Sequence, residues 1–504
     1  MHPKLQQLKS RLSEVDNLNE ANAILSWDQM TFMPPGGADS RGRQTATLEK
    51  LAHEKFTDPE IGKLLEELQP VAKELPPDSA DAALIRITTH DYEKALKIPS
   101  SFTAKFSEHN SKIYSVWAKA RAERDFKLVA PLLEKTLDYS RELANFFPGY
   151  QHIADPLIDD LDEGMTVAII QPLFQKLRAG LTPLVQQITS LPLTDDTCLH
   201  REFPEADQLS FGLKVAKKMG YDFNRGRQDK SPHPFTTSFS IGDVRITTRV
   251  KTNSLAESLF STIHESGHAL YEQGINPDFD GTSLATGASM SIHESQSRLW
   301  ENLVGRSRNF WLYFYPQIQE LFPNQLRNVS SEVFYRAINK VERSLIRTEA
   351  DEVTYNLHVM IRFDLELEML EGKLAVKDLP EAWNSRYFKD LGVIPTDDSV
   401  GVLQDMHWYS GTIGGYFQSY TLGNILSAQF LEAALKAVPS IPTEIAAGNL
   451  DPLHGWLREH IYQYGHQFTA QDIITRATGR PLDLEPYLKY IRNKFGEIYH
   501  LSLS

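Results

Sequence analysis

Residues 254–277 read SLAESLFSTIHESGHALYEQGINP, and this stretch predicts a helix with a marked start and end. Ser254 and Glu257 form the S-x-x-E pattern of a capping box, which satisfies backbone donors in a first helical turn. Gly274 and Pro277 are typical of a helix stop. Apolar residues recur between these signals at helical spacing and indicate one buried face: Leu255, Leu259, Ile263 and Leu270.

The middle of this helix carries the motif His264-Glu265-Ser266-Gly267-His268. Residues four apart lie on one helix face, so His264 and His268 can bind one ion. Glu265 is rotated by about 100° and lies beside that ion, where it can accept a proton from water. The pattern predicts a hydrolytic zinc site, in which Co²⁺ or Mn²⁺ are possible substitutes. The alternative is an exposed helix turn with two solvated histidines.

A catalytic zinc usually takes a third protein ligand. The metzincin continuation needs Gly at 271 and His at 274, whereas this chain has Tyr271 and Gly274. A downstream helix that Gly305 closes offers His293 and Glu294 instead. Neighbouring helix positions point about 100° apart, so one of the two is expected to reach the ion. Charge favours Glu294, but spacing leaves the choice open.

Composition restricts the class of protein. The chain has 504 residues, 41% of them hydrophobic, which is enough for a large core. A formal net charge of −14 argues against nucleic-acid and anionic-membrane partners. Cys198 is the only cysteine, so an intrachain disulfide is excluded. The N-terminal residues 1–25 are amphipathic and charged, and no stretch reaches the roughly 20 apolar residues of a membrane span. We therefore expect a cytoplasmic protein.

Most of the chain has helical periodicity, with segments 81–96, 131–147 and 333–370 as examples. Residues 1–200 are predicted to form a helical layer, with a turn at Met33-Pro34-Pro35-Gly36-Gly37. Residues 236–250 alternate around Ile241-Gly242-Asp243 and predict a β-hairpin just before the motif helix. We expect a mostly α fold with a small sheet beside the motif helix. No linker divides the chain, so residues 1–504 are predicted to be one domain.

Several further segments match a known family. These segments follow one another along the chain in the same order as in that family: Trp27-Asp28-Gln29, His233-Pro234-Phe235, Asp243-Val244-Arg245-Ile246-Thr247, the motif at 264–268, His293-Glu294-Ser295, residues 346–352 and Gln404-Asp405-Met406-His407-Trp408. With these motifs the chain resembles the carboxypeptidase Taq family of metallocarboxypeptidases.

The resemblance implies a zincin-type site with one Zn²⁺ held by His264, His268 and Glu294. It also implies that single residues are removed from peptides with a free C-terminus. The implied fold is mostly helical with a deep cleft, which the layer 1–200 covers while residues 201–504 supply the catalytic part. A homodimer is implied as well.

Other residues are candidates for the chemistry. An oxyanion needs a hydrogen-bond donor, for which His407 is the candidate, with Tyr420 and Tyr416 behind it. The alternative for each tyrosine is a core residue with a satisfied hydroxyl. His233 is a candidate substrate contact, or it stabilises the turn before Pro234.

A carboxypeptidase must also recognise an α-carboxylate, and a guanidinium does this with two parallel hydrogen bonds. Arg347 is the candidate, although an ion pair with Glu349 or Asp351 is its alternative. Arg245 shares a strand face with Asp243, and we expect this pair to limit substrate length. The hairpin edge offers a place for an extended peptide.

Two rival functions follow from the same residues. An endo-acting zinc oligopeptidase would share the metal site and cleave peptides whose C-terminus is blocked. A metal-free helical scaffold protein would bind no transition metal. Nucleophilic hydrolysis has little support, because Cys198 lies in a polar stretch and no G-x-S-x-G is present.

Overall fold

The computed structural model describes residues 2–501, which form a mostly helical protein with one three-stranded sheet. The predicted fold class is confirmed. None of the helices within residues 2–501 combines the length and apolarity that a membrane crossing requires. The α-helices are, in chain order, α1 (Pro3–Thr31), α2 (Ala38–Phe56), α3 (Pro59–Glu74), α4 (Ala80–Lys97), α5 (Ser100–Glu123), α6 (Ala130–Asn145), α7 (Asp155–Asp159), α8 (Val167–Thr189), α9 (Glu205–Met219), α10 (Leu255–Gly274), α11 (Met290–Arg298), α12 (Arg308–Leu321), α13 (Pro323–Leu326), α14 (Ser331–Ile338), α15 (Tyr355–Leu370), α16 (Leu379–Leu391), α17 (Phe417–Ala437), α18 (Ile441–Ala446), α19 (Asp451–His460), α20 (Ala470–Thr478) and α21 (Glu485–Tyr499).

The chain divides into two compact units. The first comprises the described residues of Met1–Leu96, Asp196–Ile338 and Ser427–Leu482. The second comprises those of Lys97–Asp195, Asn339–Leu426 and Asp483–Ser504. The first 200 residues thus contribute helices to both units. That residues 1–504 act as a single metallopeptidase domain stays a prediction.

The N-terminal helix α1 belongs to the core of the first unit. Its leucines Leu5, Leu8 and Leu12 are buried against α3 and α4. Burial of each leucine stabilises the fold by about 1.5–3 kcal/mol. The predicted turn at 33–37 follows α1 and includes a short 3₁₀ turn, Pro35–Gly37.

The motif helix α10 begins after Ser254 and ends at Gly274, as the sequence predicts. The predicted capping box is wrong, because the Ser254 side chain makes no capping hydrogen bond. Glu257 instead forms ion pairs with Arg249 and Lys251, which draw its carboxylate away from the helix start. The N-terminal boundary therefore depends on the extended backbone of Ser254 and on those ion pairs.

The sheet lies directly before α10 and consists of β1 (Gln228–Lys230), β2 (Thr236–Ser240) and β3 (Asp243–Thr248) in the order β1-β3-β2. Strands β2 and β3 form the predicted antiparallel hairpin, with Thr236 opposite Ile246. The strand is shorter than predicted and stops before Arg249 and Val250. The three-residue strand β1, which pairs parallel to β3, was not predicted because it is too short to show alternation.

The predicted helix over 333–370 is wrong in its middle. Helix α14 ends at Ile338 and α15 begins at Tyr355. Hydrogen bonds to polar side chains hold the backbone between them in an irregular path. The carboxylate of Asp351 accepts hydrogen bonds from the backbone N–H groups of Glu342 and Val353. Arg347 is buried in this stretch. The spacing of apolar residues carries no information about such contacts, so the sequence predicted one continuous helix where the structure has two.

Candidate active site

The first unit brings the predicted metal ligands together. His264 and His268 project from α10 and Glu294 from α11, and one ligand atom of each lies within 4.8 Å of the others. Glu294 Oε2 is 3.7 Å from His264 Nε2 and 3.4 Å from His268 Nε2. Glu294 is therefore the residue of the 293–294 pair that faces both imidazoles.

Gly267 explains how the two helices approach so closely. A Cβ atom at this position would lie 2.7 Å from the backbone oxygen of Gln296 and 2.7 Å from the Cα atom of Ser297. Real Cβ contacts of this length essentially do not occur. The glycine inside the motif is required by the crossing of α10 and α11, which sets the separation between the histidines and Glu294.

Each metal-facing histidine is held through its other ring nitrogen. Nδ1 of His264 lies 2.9 Å from Oε2 of Glu301 and donates to it. Nδ1 of His268 lies 2.6 Å from Nδ1 of His293, whose Nε2 is 2.7 Å from the Glu272 carboxylate. With His293 donating to Glu272, its Nδ1 accepts the proton of His268. Both arrangements leave an Nε2 lone pair free for an ion, a common arrangement around catalytic metals.

Charges around the carboxylates keep them ionised. Arg298 Nε donates to Glu294 Oε1 over 2.6 Å, and Ser297 donates to Oε2 over 2.9 Å. Burial alone would raise the pKa of Glu294, but Arg298 and His264 outweigh it and lower that pKa. For Glu301, burial is likewise outweighed by Arg298 and His264, and its pKa falls to about 2.

The electrostatics also suit metal binding by His268. Burial lowers the pKa of His268 to about 3, so the imidazole is neutral. At His264, burial is outweighed by Glu294 and Glu301, which raise its pKa, so an ion would have to displace a proton there. Two imidazoles and one carboxylate form a donor set that suits a divalent ion. The described residues therefore fit the ion that the resemblance implies.

Glu265 lies next to His264 and is buried. Its Oε2 accepts a 2.6 Å hydrogen bond from the Thr236 hydroxyl, which also donates to the Glu265 carbonyl. Burial raises the pKa of Glu265 above its ordinary value. Strand β2 thus fixes the rotamer of the predicted base, and burial increases the proton affinity of the carboxylate.

Arg245 lies on β3 in the same unit. Its guanidinium donates two hydrogen bonds, of 2.8 and 2.6 Å, to Asp243, so the expected pair is present. The guanidinium is also 4.7 Å from the ring centre of Trp27 and 4.8 Å from that of Phe239. His233 is exposed in the loop between β1 and β2, where its carbonyl accepts from Ser231.

The second unit contains the other candidate arginine. The Arg347 side chain is buried, and its Nε donates to Asp405 over 2.6 Å while a terminal nitrogen donates to the Tyr355 hydroxyl. Arg362 donates to the same Asp405 oxygen over 3.1 Å. The alternative of an ion pair between Arg347 and Glu349 or Asp351 is wrong, because the partner is Asp405, far along the chain.

His407 shares this aspartate. Its Nδ1 lies 2.5 Å from the second oxygen of Asp405, and its Nε2 is 3.2 Å from the Tyr420 hydroxyl. The exposed Tyr416 packs its ring 5.0 Å from the His407 ring. Arg347, His407, Tyr416 and Tyr420 therefore form one cluster around Asp405. Tyr409, by contrast, is a core residue whose hydroxyl donates to the Val402 carbonyl.

Three polar residues of these clusters were not singled out from the sequence, Glu301, Glu272 and Arg362, and Asp405 was quoted only within the 404–408 motif, without a role. A signal existed for Glu301, because Glu294, Arg298 and Glu301 are spaced by four and three residues and share one helical face. The segment after α11 continues as a π-helix, Leu299–Val304, that carries Glu301. No local pattern indicated that Arg362 and Asp405 would meet.

The chain is similar to known proteins over nearly its whole length. The sequence model of the carboxypeptidase Taq (M32) metallopeptidases matches residues 7–495. The chain is 39% identical to thermostable carboxypeptidase 1 of Thermus thermophilus, with 96% of this chain and 97% of that protein covered. It is 36% identical to carboxypeptidase 1 of Bacillus subtilis, with 97% of each covered.

Solved structures give the same result. The crystal structure of an M32 carboxypeptidase from Deinococcus radiodurans superposes with a TM-score of 0.96 at 47% identity, covering 99% of this chain and 100% of the other. A carboxypeptidase structure from Pyrococcus furiosus has a TM-score of 0.94 at 33% identity, with 98% of this chain and 99% of the other covered.

Proposed function

The chain belongs to the carboxypeptidase Taq (M32) family of metallopeptidases, and from that premise we propose that it is a zinc-dependent carboxypeptidase that removes single C-terminal residues from peptides. The observation that carries the proposal is the convergence of His264, His268 and Glu294 within 4.8 Å, with Glu265 buried beside them. Family membership identifies a peptide hydrolase that needs a divalent ion, and zinc is our assignment for that ion.

A zinc ion at this site would supply Lewis acidity toward the scissile carbonyl and toward water. The protein contributes the geometry. Glu301 and the pair His293–Glu272 orient the two imidazoles, and Arg298 keeps Glu294 ionised. Such outer contacts typically change metal affinity by about 10- to 100-fold when removed.

Glu265 is the proposed general base. Its raised pKa lets the carboxylate take a proton from the attacking water, and the resulting acid then passes the proton to the leaving amine. The Thr236 hydrogen bond holds Oε2 in one orientation, so the proton is delivered at a defined atom. Water enters as the nucleophile, and the products are an amino acid and a shortened peptide.

The Asp405 cluster is proposed to bind the substrate carboxylate and to assist the reaction. Arg347 is the proposed carboxylate ligand, while Asp405 and Tyr355 fix its guanidinium plane. His407 is the proposed donor to the oxyanion, because Asp405 accepts at its Nδ1 and leaves Nε2 directed to Tyr420. Tyr420 assists at the transition state, and Tyr416 contributes a substrate contact.

Arg245 is proposed to limit substrate length. Its bidentate pair with Asp243 and its contacts with the Trp27 and Phe239 rings restrict the rotamers of the guanidinium. His233 is the proposed substrate contact from the loop beside it. The cytoplasmic location and the homodimer stay predictions.

The test is mass spectrometry of a peptide digested by the zinc-loaded protein. We expect a ladder of products that lose residues stepwise from the C-terminus. The Glu265→Gln protein should bind zinc like wild type and produce no ladder, while Glu320→Gln, an exposed position on α12, should behave like wild type. Internal fragments, or a full ladder from Glu265→Gln, would contradict the proposed function.

A further inference from the structure

The second unit contains a cavity of about 500 Å³ that His407 and Tyr416 help to line. This volume lies within the usual range of pockets for small ligands. Much of the wall is apolar and comes from α5, α6, α7 and the segments next to them: Ile98, Phe106, Leu143, Phe147, Leu157 and Leu161.

The acidic residues of this wall have no strongly basic counterpart in it. Asp160 and Glu366 both line the cavity, and among its described lining residues none is a lysine or an arginine. Asp160 is exposed, whereas the Glu366 side chain on α15 is 1% exposed. An apolar wall with carboxylates and no lysine or arginine is complementary to an aliphatic chain that carries a positive charge.

Only one of the two carboxyl oxygens of Glu366 has a hydrogen-bond donor within residues 2–501. Its Oε1 accepts a 2.7 Å hydrogen bond from the Trp408 indole N–H. Its Oε2 is buried and has no hydrogen-bond partner among the described residues, although the nearby Gly414 N–H favours the charged form of the carboxyl. Leaving a buried oxygen without a hydrogen-bond donor destabilises the site. A ligand that donates a hydrogen bond to this carboxyl would relieve part of that destabilisation.

Burial raises the pKa of Glu366 to about 8, which places its proton exchange near neutral pH. A cation that enters the cavity favours the ionised carboxyl, because opposite charges stabilise each other at short range. The Glu366 carboxyl is therefore able to lose its proton and become negatively charged when a basic group enters the cavity.

We propose that this cavity holds the side chain of the residue to be released, and that it selects a long aliphatic side chain with a cationic end, as in lysine and arginine. The apolar wall packs against the methylene groups, and Glu366 pairs with the terminal cation. His407 is common to the cavity and to the Asp405 cluster, so the side chain and the α-carboxylate are bound by adjoining groups of one unit. The inference rests on the proposed carboxypeptidase function.

The experiment compares peptides that differ only in a C-terminal lysine, norleucine or glutamate, digested by the zinc-loaded full chain. Norleucine keeps the aliphatic stem and lacks the cation. A charge-assisted hydrogen bond is worth about 1.5–3 kcal/mol, so kcat/KM for lysine should exceed that for norleucine by about tenfold or more. Glutamate should be released more slowly than norleucine.

The Glu366→Gln variant tests the residue. Glutamine keeps an oxygen that can accept from Trp408, and the lysine-to-norleucine ratio should fall by about fivefold or more, because the hydrogen bond to the cation loses its charge assistance. Glu368→Gln is the matched control on the same helix, because Glu368 is absent from the cavity wall and pairs with Arg386. Its ratio should equal that of wild type.

The outcomes separate the two proposals. If wild type releases no C-terminal residue from any peptide, the proposed function itself fails. If it releases residues but treats lysine and norleucine alike, or if Glu366→Gln keeps the lysine preference, the side-chain pocket is wrong and the carboxypeptidase assignment stands. The wild-type comparison decides the matter even if the Glu366 variant does not fold.

Discussion

Replacement of Gly267 by alanine is the sharpest test of how the fold builds the metal site. The added Cβ would meet the backbone oxygen of Gln296 and the Cα atom of Ser297 at 2.7 Å. Both are backbone atoms, so no side-chain rotation relieves the contact. Ordinary van der Waals contact begins at 3.4 Å, and helix α11 must therefore move by about 0.7 Å relative to α10.

That displacement is large for a metal site, where ligand distances are correct to within about 0.2 Å. Glu294 is carried by the helix that must move, so its distance from the histidines increases. Overpacking of this kind destabilises by about 1–3 kcal/mol. We expect Gly267→Ala to lose about that much stability, and to bind zinc at least about tenfold more weakly, the lower bound for changes outside the ligand set.

The assays are urea unfolding of the metal-free protein and competition for zinc with a chelator. Gly455→Ala on α19 is the matched control, because nothing lies within 4 Å of its added Cβ. Alanine is the better helix former by about 0.8–1.0 kcal/mol, so the control should be neutral or more stable. If Gly267→Ala behaves like the control in both assays, the close crossing does not set the site geometry.

Three further predictions concern single side chains. Glu301→Gln removes the carboxylate that orients His264, and chelator competition should show a zinc affinity about 10- to 100-fold lower, with no loss of secondary structure by circular dichroism. Burial raises the pKa of Glu366 from 4.5 to about 8, so the folded protein binds this proton more tightly than the unfolded chain does. The free energy of unfolding should therefore fall by up to about 1.4 kcal/mol per pH unit as the pH rises from 4.5 to about 8. Urea unfolding of Glu366→Gln should lack this pH dependence. Arg347→Gln should lower kcat/KM for free-acid peptides by about tenfold or more but leave the slow cleavage of C-terminally amidated peptides unchanged, since only the free acid carries the proposed partner.

Contradicting results are equally specific. Unchanged zinc affinity in Glu301→Gln would show that His264 is oriented without its carboxylate partner. If the free energy of unfolding depends on pH in the same way in wild type and in Glu366→Gln, burial does not raise the pKa of Glu366. Wild-type cleavage of amidated peptides at the free-acid rate would favour an endo-acting oligopeptidase.

The parts of the structure that follow local patterns could be predicted from the sequence. Helix α10 was found because its apolar stripe, start and stop all lie within 24 consecutive residues. The spacing of His264 and His268 then predicted two ligands. The choice between His293 and Glu294 could not be made locally, because the phase of α11 relative to α10 depends on the close contact at Gly267.

The parts that depend on long-range polar contacts could not be predicted. Asp405 pairs with Arg347 and Arg362 across 58 and 43 residues of sequence, and neither arginine has a local pattern that marks it as buried. The same contacts keep the chain irregular before α15, where apolar periodicity alone predicted a helix. Polar burial of this kind is decided by tertiary partners and not by local propensity.

The proposed function requires that two imidazoles from α10 and one carboxylate from α11 bind a single divalent ion. Anomalous diffraction at the zinc edge, from crystals of the zinc-loaded protein, tests it most directly. We predict one strong peak per chain, at about 2.0–2.2 Å from His264 Nε2, His268 Nε2 and a Glu294 oxygen. A peak elsewhere in the chain, or one that Glu294 does not contact, would contradict the claim.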